Sequence, residues 1–140
     1  MMRRYRFGSG AGQGINSGAA LTMQTKTIQK QLRKFAKDRD WDQFHNPKNL
    51  ATALVCEAAE LAEIFQWMTP KQAVKCMDDL ETSQALRHEI ADVQIYVLRL
   101  ADKLGVDLDK AVQEKLRINA EKYPVSLAKG NAVKYSRRKG

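Results

Sequence analysis

Two pairs of acidic residues, each set in an apolar segment, constrain the fold of this chain more than any other feature. Glu57 and Glu60 lie three residues apart, and so do Glu89 and Asp92. Residues at that spacing share one face of a helix, so each pair presents two carboxylates side by side. Two carboxylates about 5 Å apart repel each other by roughly 3 kcal/mol at an effective dielectric constant near 20. Four clustered acids therefore predict either bound protons or a bound cation.

Oxygen ligands alone favour a hard cation such as Mg²⁺, which proteins commonly bind together with phosphate groups. The first hypothesis is thus a magnesium site that handles a nucleotide. A di-metal carboxylate bundle is an alternative, but it usually adds histidines in ExxH motifs. Neither of the two acidic motifs supplies that histidine, and the chain has only His45 and His88. A noncatalytic helical interaction or regulatory module is the other alternative, although such a module has no need of four inward-facing acids.

Composition limits the chain to one domain that does not enter a membrane. Its 140 residues are 44% hydrophobic, which is enough for one core, and no apolar run approaches a membrane span of about 20 residues. The first residues lack the apolar region of a secretory signal. Cys56 and Cys76 show no CxxC spacing, so we expect reduced core thiols in a cytoplasmic protein.

The net charge of +8 lies at the two ends of the chain. Residues 1–6 carry three arginines and no acid, residues 125–140 carry five lysines or arginines and no acid, and residues 7–124 sum to zero. Nucleic-acid-binding proteins normally concentrate such charge on the folded domain, so we expect solvated tails and no nucleic-acid partner. We divide the chain into a flexible leader at residues 1–22, a helical domain at 23–124 and a basic tail at 125–140. The leader is expected to be artificial or translated from upstream, with Met23 as a candidate natural start.

Apolar periodicity and capping residues predict an all-α, four-helix-bundle-like fold without strands. The predicted segments are Thr25–Lys37, Leu50 to about Trp67 with Asn49 as N-cap, and a short turn from Pro70 to Cys76. A long helix, introduced by Asp78, Asp79, Glu81 and Thr82, runs to Leu104 and is ended by Gly105; Asp107 caps a last helix from Leu108 to about Lys122. We expect Val112 and Leu116 of the last helix to face the bundle. The long helix is apolar nearly all round near Tyr96, which a single chain cannot cover. This predicts a homo-oligomer.

The acidic pairs and their flanks resemble one family. ExxE followed after 28 residues by ExxD resembles the signature of the MazG-like, all-α nucleoside triphosphate pyrophosphohydrolases. Residues 39–49, residues 60–67 and the set Lys115, Asn119 and Lys122-Tyr123-Pro124 resemble the dCTP pyrophosphatase branch of that family. The resemblance covers about residues 24–135. It implies a dimeric or tetrameric enzyme that cleaves dNTPs, with dCTP or modified dCTP favoured, as a house-cleaning activity on the nucleotide pool.

The resemblance also implies roles for particular residues. Glu57, Glu60, Glu89 and Asp92 would be the catalytic acids and would bind Mg²⁺, with Mn²⁺ as a substitute. The implied substrate-binding residues are Trp41, His45, Trp67, Tyr96, Lys115, Asn119, Lys122 and Tyr123. The alternatives are a hydrophobic cap for Trp41 and His45, packing roles for Trp67 and Tyr96, and an exposed basic face for the lysines. Leu32 stands near a position that is polar in some relatives, which limits any transfer of their base selectivity.

The spacing of Trp67 and Tyr96 from the motif acids gives a separate argument that their rings bind the base. Trp67 follows Glu60 by seven residues and Tyr96 follows Glu89 by seven. Two helical turns span about 10.5 Å, which suits a metal at the triphosphate and a base stacked on a ring. If the motif helices are antiparallel, the two rings point to opposite ends, and a site that uses both joins two subunits. Water would attack the α-phosphorus and pyrophosphate would leave, without a Ser or Cys nucleophile.

Overall fold

The computed structural model describes residues 17–137, with side chains from Gln24 onward, and is all-α as predicted. The helices within this range are α1 (Ser17–Asp38), α2 (Pro47–Phe65), α3 (Pro70–Val74), α4 (Leu80–Leu104), α5 (Leu108–Lys122) and α6 (Val125–Ala128). Two 3₁₀ turns, Cys76–Asp78 and Tyr135–Arg137, complete the elements. None of the helices in residues 17–137 combines the length and the apolar character that a membrane span requires.

Capping residues set the ends of α4 and α5 where the sequence predicts them. The Asp79 side chain accepts a hydrogen bond from the Thr82 N–H at 2.8 Å, and Gly105 ends α4 in the left-handed region at φ 67°. The Asp107 side chain accepts from the Lys110 N–H at 3.1 Å at the start of α5. Each cap satisfies a backbone group that the helix itself leaves unpaired. The long α4 is therefore held at both ends.

The start of α2 differs from the prediction. Asn46, not Asn49, is the N-cap, and its side chain accepts from the Asn49 N–H at 2.9 Å. Pro47 occupies the first turn, where a missing N–H costs nothing. Asn49 lies inside the helix and its amide donates to the Phe44 carbonyl at 3.0 Å. The loop before α2 is consequently tied to the first helical turn.

Three helices form the packed core. Gln29 of α1 donates to the Leu98 carbonyl of α4 at 3.3 Å, and Arg33 pairs with Asp102 one turn later, so α1 and α4 run parallel. α2 lies against α4 in the opposite direction, as the acidic residues below show. The fully buried apolar side chains among the described residues come from these three helices: Ala36, Leu50, Leu86, Leu98 and Ala101.

α5 does not pack as predicted. Val112 is 50% exposed and Leu116 is 57% exposed, and no side chain of α5 is buried. Periodicity identified an apolar face correctly, but no helix within residues 17–137 covers it. Cys56 also differs from the expected core thiol, because it is exposed, whereas Cys76 is half-buried; both are free.

The predicted leader lies mostly outside the described residues. α1 begins at Ser17, eight residues before the predicted start, and so includes residues 17–22. Ala19, Ala20 and Leu21 are strong helix formers, which accounts for the longer helix. The start of the basic tail contains α6 and the Tyr135–Arg137 turn. The proposed limits at residues 22 and 124 remain predictions.

Candidate active site

The two acidic motifs meet where α2 packs against α4. Carboxylate oxygens of Glu57, Glu60 and Glu89 all lie within 4.8 Å of one another. Glu57 and Glu89 are half-buried, whereas Glu60 is exposed. The helical spacing places the two α2 glutamates on one face, and the antiparallel crossing brings Glu89 opposite them. We call these three residues the acid cluster.

Burial and neighbouring acids both act on the Glu57 carboxyl. Burial raises the pKa of the Glu57 carboxyl above its ordinary value, and the charges of Glu60, Asp92 and Glu89 raise it further. Asp92 lies outside the group of oxygens within 4.8 Å, yet its charge acts on Glu57 more strongly than that of Glu89 does. All four predicted acids therefore share one electrostatic environment, with Asp92 on the side nearer the cavity described below.

The acid cluster fits a divalent cation. The Oε2 atom of Glu89 is buried and has no hydrogen-bond partner among the described residues. A buried carboxylate oxygen without a donor costs free energy, and a bound cation would remove that cost. Three glutamate oxygens at this separation are also the ligand type that Mg²⁺ and Mn²⁺ prefer.

A cavity of about 450 Å³ opens beside the acids. This volume is typical of a pocket for a small molecule. Its apolar lining consists of Leu32, Phe35, Trp41, Ile95 and Tyr96. Its polar lining consists of Gln31, His45, Glu57, Asp92 and Arg99.

Aromatic rings form one wall of this cavity. Phe35 and Trp41 make an edge-to-face contact with centroids 5.9 Å apart, and Trp41 and His45 lie 6.4 Å apart at a tilted angle. Tyr96, four residues after Asp92 on α4, lines the same cavity. Burial raises the pKa of the Tyr96 hydroxyl, and the charges of Glu57 and Asp92 add to the increase. The cavity thus offers stacking surfaces within reach of the carboxylates.

Arg99 occupies the end of the cavity away from the acids. It is only 4% exposed, and its guanidinium donates to His45 Nδ1 at 3.3 Å, to Asp102 at 3.1 Å and to Asp42. His45, just before α2, is bonded to Arg99 near the end of α4, whereas Glu60, near the end of α2, lies close to Glu89 in the first half of α4. The two helices are therefore antiparallel. Arg99 lies seven residues beyond Asp92, about 10.5 Å along α4.

Further ion pairs surround Arg99. The Lys103 ammonium donates to Asp42 at 2.9 Å, and Arg33 pairs with Asp102. The Lys103 hydrogen bond holds the pKa of Asp42 below its ordinary value, and the charges of Lys103 and Arg99 reinforce the effect. The loop between α1 and α2 is therefore fastened to α4 by charge.

Five of the predicted substrate-binding residues lie outside the cavity. Trp67, just after α2, is 88% exposed. Lys115, Asn119, Lys122 and Tyr123 are exposed residues on or just after α5. Tyr123 makes an edge-to-face contact with Tyr135 at 5.9 Å, and the Lys122 ammonium lies 5.1 Å from the same ring. The structure brings Trp41, His45 and Tyr96 together with Glu57 and Asp92 around one cavity. The substrate-binding roles of all eight residues remain predictions.

Comparison with known proteins places this arrangement in a family. The model of the MazG-like family matches residues 53–137, more than half of the chain. The chain belongs to the MazG-like family. The matched range contains both acidic motifs, Tyr96 and Arg99, whereas Leu32, Phe35, Trp41 and His45 precede it.

Individual relatives agree with this assignment. This MazG-like chain is 43% identical over 109 residues to dCTP pyrophosphatase 1 of Homo sapiens and of Rattus norvegicus, covering 78% of the chain and 64% of each relative. It therefore spans just under two thirds of their length. The Bos taurus protein of the same name is 36% identical over 133 residues, covering 92% of the chain and 79% of the relative. A crystal structure of a pyrophosphatase from Archaeoglobus fulgidus superposes with a TM-score of 0.62 at 32% identity, covering 83% of this chain and 99% of that one.

Sequence reasoning missed the Arg99 network of this MazG-like site. A signal was present, because Arg99 follows Asp92 by seven residues and Tyr96 by three, and so falls on the same face of α4. A charged residue continuing a half-buried helix face indicates a buried ion pair. Its partners Asp42 and His45 lie more than 50 residues away, and no local pattern identifies them.

Proposed function

We propose that this chain is a nucleoside triphosphate pyrophosphohydrolase that cleaves dNTPs, with dCTP or modified dCTP favoured, to the monophosphate and pyrophosphate. The observation that carries the proposal is the acid cluster beside a 450 Å³ aromatic cavity. Triphosphate chemistry needs a cation site, and a nucleobase needs flat apolar surfaces at a fixed distance from it. The names of the mammalian relatives support the choice of dCTP. The expected role is house-cleaning of the cytoplasmic nucleotide pool.

Glu57, Glu60 and Glu89 would hold Mg²⁺, or Mn²⁺ in its place, with Asp92 beside them. A cation bound there supplies positive charge that offsets the developing charge on phosphate oxygens. The residues fit such an ion because the buried Glu89 Oε2 has no donor and because burial together with acidic neighbours raises the pKa of Glu57. Cation binding would also favour the ionised form of Glu57.

The chain's own side chains account for the remaining requirements. Trp41 and Tyr96 would stack on the base, which tolerates different bases, and the polar groups at the cavity edge would select among them. A carboxylate of the four-acid set would accept a proton from the attacking water. The water oxygen then bonds to the α-phosphorus, the bond to the bridging oxygen breaks, and pyrophosphate leaves with that oxygen.

Self-association would complete the site. Trp67 and the α5 residues Lys115, Asn119 and Lys122 lie outside the cavity of their own chain, where a partner chain could use them. Large exposed apolar side chains also occur on several helices: Val55, Val74, Leu80, Ile90, Val112 and Leu116. Such surfaces are unusual on a monomer and support a homodimer or homotetramer.

The decisive experiment measures pyrophosphate release from each dNTP and NTP with Mg²⁺, Mn²⁺ and EDTA. Glu57→Gln, Glu60→Gln, Glu89→Gln and Asp92→Asn should each lower turnover about 100-fold or more, the order expected for a lost electrostatic group. Glu114→Gln, an exposed residue of α5, is the matched control. Near-normal turnover in any two of the four variants would refute the assignment.

The alternatives give different results in the same experiment. A noncatalytic helical module would release no pyrophosphate from any nucleotide. A di-iron bundle would copurify with iron and would not depend on Mg²⁺. The described acid cluster contains three glutamates and no histidine, which favours the magnesium enzyme over that bundle.

A further inference from the structure

Arg99 is a buried cation at the cavity end that the proposed chemistry does not use. Each of the three guanidinium nitrogens donates a hydrogen bond to a different residue: Nε to His45, Nη1 to Asp102 and Nη2 to Asp42. A planar guanidinium that donates in three directions fixes its partners more firmly than a lysine would. Arg99 therefore determines how His45 is presented to the cavity.

The direction of the Arg99–His45 hydrogen bond determines the proton on the imidazole. Arg99 Nε always carries hydrogen, so His45 Nδ1 must accept and must be unprotonated. The neutral ring then carries its proton on Nε2. His45 lines the cavity, and no described residue accepts that Nε2–H. One donor is thus left for a ligand.

The surrounding charges also disfavour protonation of His45. Burial lowers the pKa of His45 below its ordinary value, and the Arg99 charge lowers it further. Asp42 opposes this effect, while Lys103 reinforces it. The ion-pair network beside His45 carries a net positive charge, because three cations, Arg33, Arg99 and Lys103, pair with two carboxylates, those of Asp42 and Asp102.

We propose that Arg99 is a positioning residue that holds His45 as the neutral Nε2–H tautomer, so that His45 donates a hydrogen bond to an acceptor atom on the nucleobase. The ligand assignment rests on the proposed nucleotide function. About 10.5 Å of α4 separates Arg99 from Asp92, which matches a nucleotide lying with phosphates at the acids and base at His45. Carbonyl and ring-nitrogen acceptors, such as those of cytosine, are the groups that this donor would recognise.

Nitrogen-15 NMR of the full chain tests the tautomer without any assay of activity. The chain has two histidines, so a His88→Gln variant assigns the His45 signals. The parent should show a protonated Nε2 and an unprotonated Nδ1 at pH 7. Arg99→Met and Arg99→Lys should both lose that bias, since neither supplies the Nε–H. Arg33→Met, which removes another arginine bonded to Asp102, should retain it.

A charged His45 or an Nδ1–H tautomer in the parent would overturn the proposal. So would an unchanged His45 in a folded Arg99→Lys chain. If neither Arg99 variant folds, the parent spectrum and the Arg33→Met spectrum still decide the question.

Kinetics test whether the donor meets the base. Arg99→Lys and His45→Leu should raise KM for dCTP about 3- to 10-fold, the effect of one neutral hydrogen bond, with kcat changed less than about twofold. His45→Gln should recover most of the loss, because its amide supplies an N–H in a similar place. Equal losses in His45→Gln and His45→Leu would refute the donor role. Absence of pyrophosphate release by the parent would instead refute the proposed function and the ligand assignment, while the NMR result on Arg99 would stand.

Discussion

Replacing Glu89 with glutamine should stabilise the metal-free protein while abolishing its response to magnesium. Glu89 is half-buried, its Oε2 has no hydrogen-bond partner, and it lies within 4.8 Å of carboxylate oxygens of Glu57 and Glu60. Glutamine keeps the shape and removes the charge. Its amide can also donate to either neighbouring carboxylate, which glutamate cannot do.

The expected stabilisation follows from the distances. Two unit charges 4.8 Å apart repel by about 3 kcal/mol at an effective dielectric constant near 20 and by about 1 kcal/mol in bulk water. Glu60 is exposed, so its contribution lies near the lower figure, whereas that of the half-buried Glu57 lies nearer the upper one. We therefore expect the free energy of unfolding to rise by about 1 to 3 kcal/mol. A gain of 1 kcal/mol corresponds to a rise in Tm of roughly 2 to 8 °C for a domain of this size range.

Thermal unfolding in EDTA and in MgCl₂ measures both effects. The parent should gain stability with Mg²⁺, by about 2.7 kcal/mol at 100 times its Kd, because only the folded state holds the cation site. Glu89→Gln should melt higher than the parent in EDTA and should not respond to Mg²⁺. Glu114→Gln should match the parent in both buffers. A lower Tm for Glu89→Gln in EDTA, or an undiminished response to Mg²⁺, would refute the reasoning.

Two further predictions concern the loop and the assembly. Lys103 and Arg99 lower the pKa of Asp42. Its ion pairs should therefore stabilise the protein at pH values above 3.8, the ordinary pKa of aspartate, and should lose their effect as the pH falls through the lower pKa of the folded state. Urea unfolding should therefore show Asp42→Asn less stable than the parent at pH 7, with the difference shrinking as the pH falls below 3.8. A constant difference would contradict this. If Trp67 and Tyr96 of different chains share a site, mixing Trp67→Ala with Tyr96→Ala under subunit exchange should recover activity that neither variant has alone. Verified mixed oligomers without recovery would show that Trp67 serves no neighbouring site.

Local sequence chemistry predicted the helices well because their ends depend on nearby residues. Asp79, Gly105 and Asp107 act where the sequence places them, since each cap involves a backbone group only a few residues away. The error at Asn46 has the same origin. Asn46 precedes Pro47 directly and Asn49 follows it by two residues. A residue before proline is driven towards the extended backbone that an N-cap requires, so Asn46 takes that position.

Burial was predicted less well because it depends on neighbours distant in sequence or on other chains. Periodicity identified the apolar face of α5, yet Val112 and Leu116 remain exposed among the described residues. Cys56 lies on α2 between the exposed Val55 and the half-buried Glu57, and it is itself exposed. The acid cluster was predictable because two three-residue spacings and one antiparallel crossing suffice to form it.

The acids and the far end of the cavity lie at separate positions along α4. Glu89, Asp92, Tyr96 and Arg99 follow one another along a single rigid helix, so the distance from the acids to the far end of the cavity is constant. The opposite wall comes from α1 and the loop before α2, which carry Leu32, Phe35, Trp41 and His45 and lie outside the range matched by the family model. Because Arg99 and Lys103 attach that loop to α4 through Asp42, substitutions in the loop should alter the preferred base while leaving the acid cluster intact. The ion pairs therefore hold the loop wall of the cavity against the helix that carries Glu89 and Asp92.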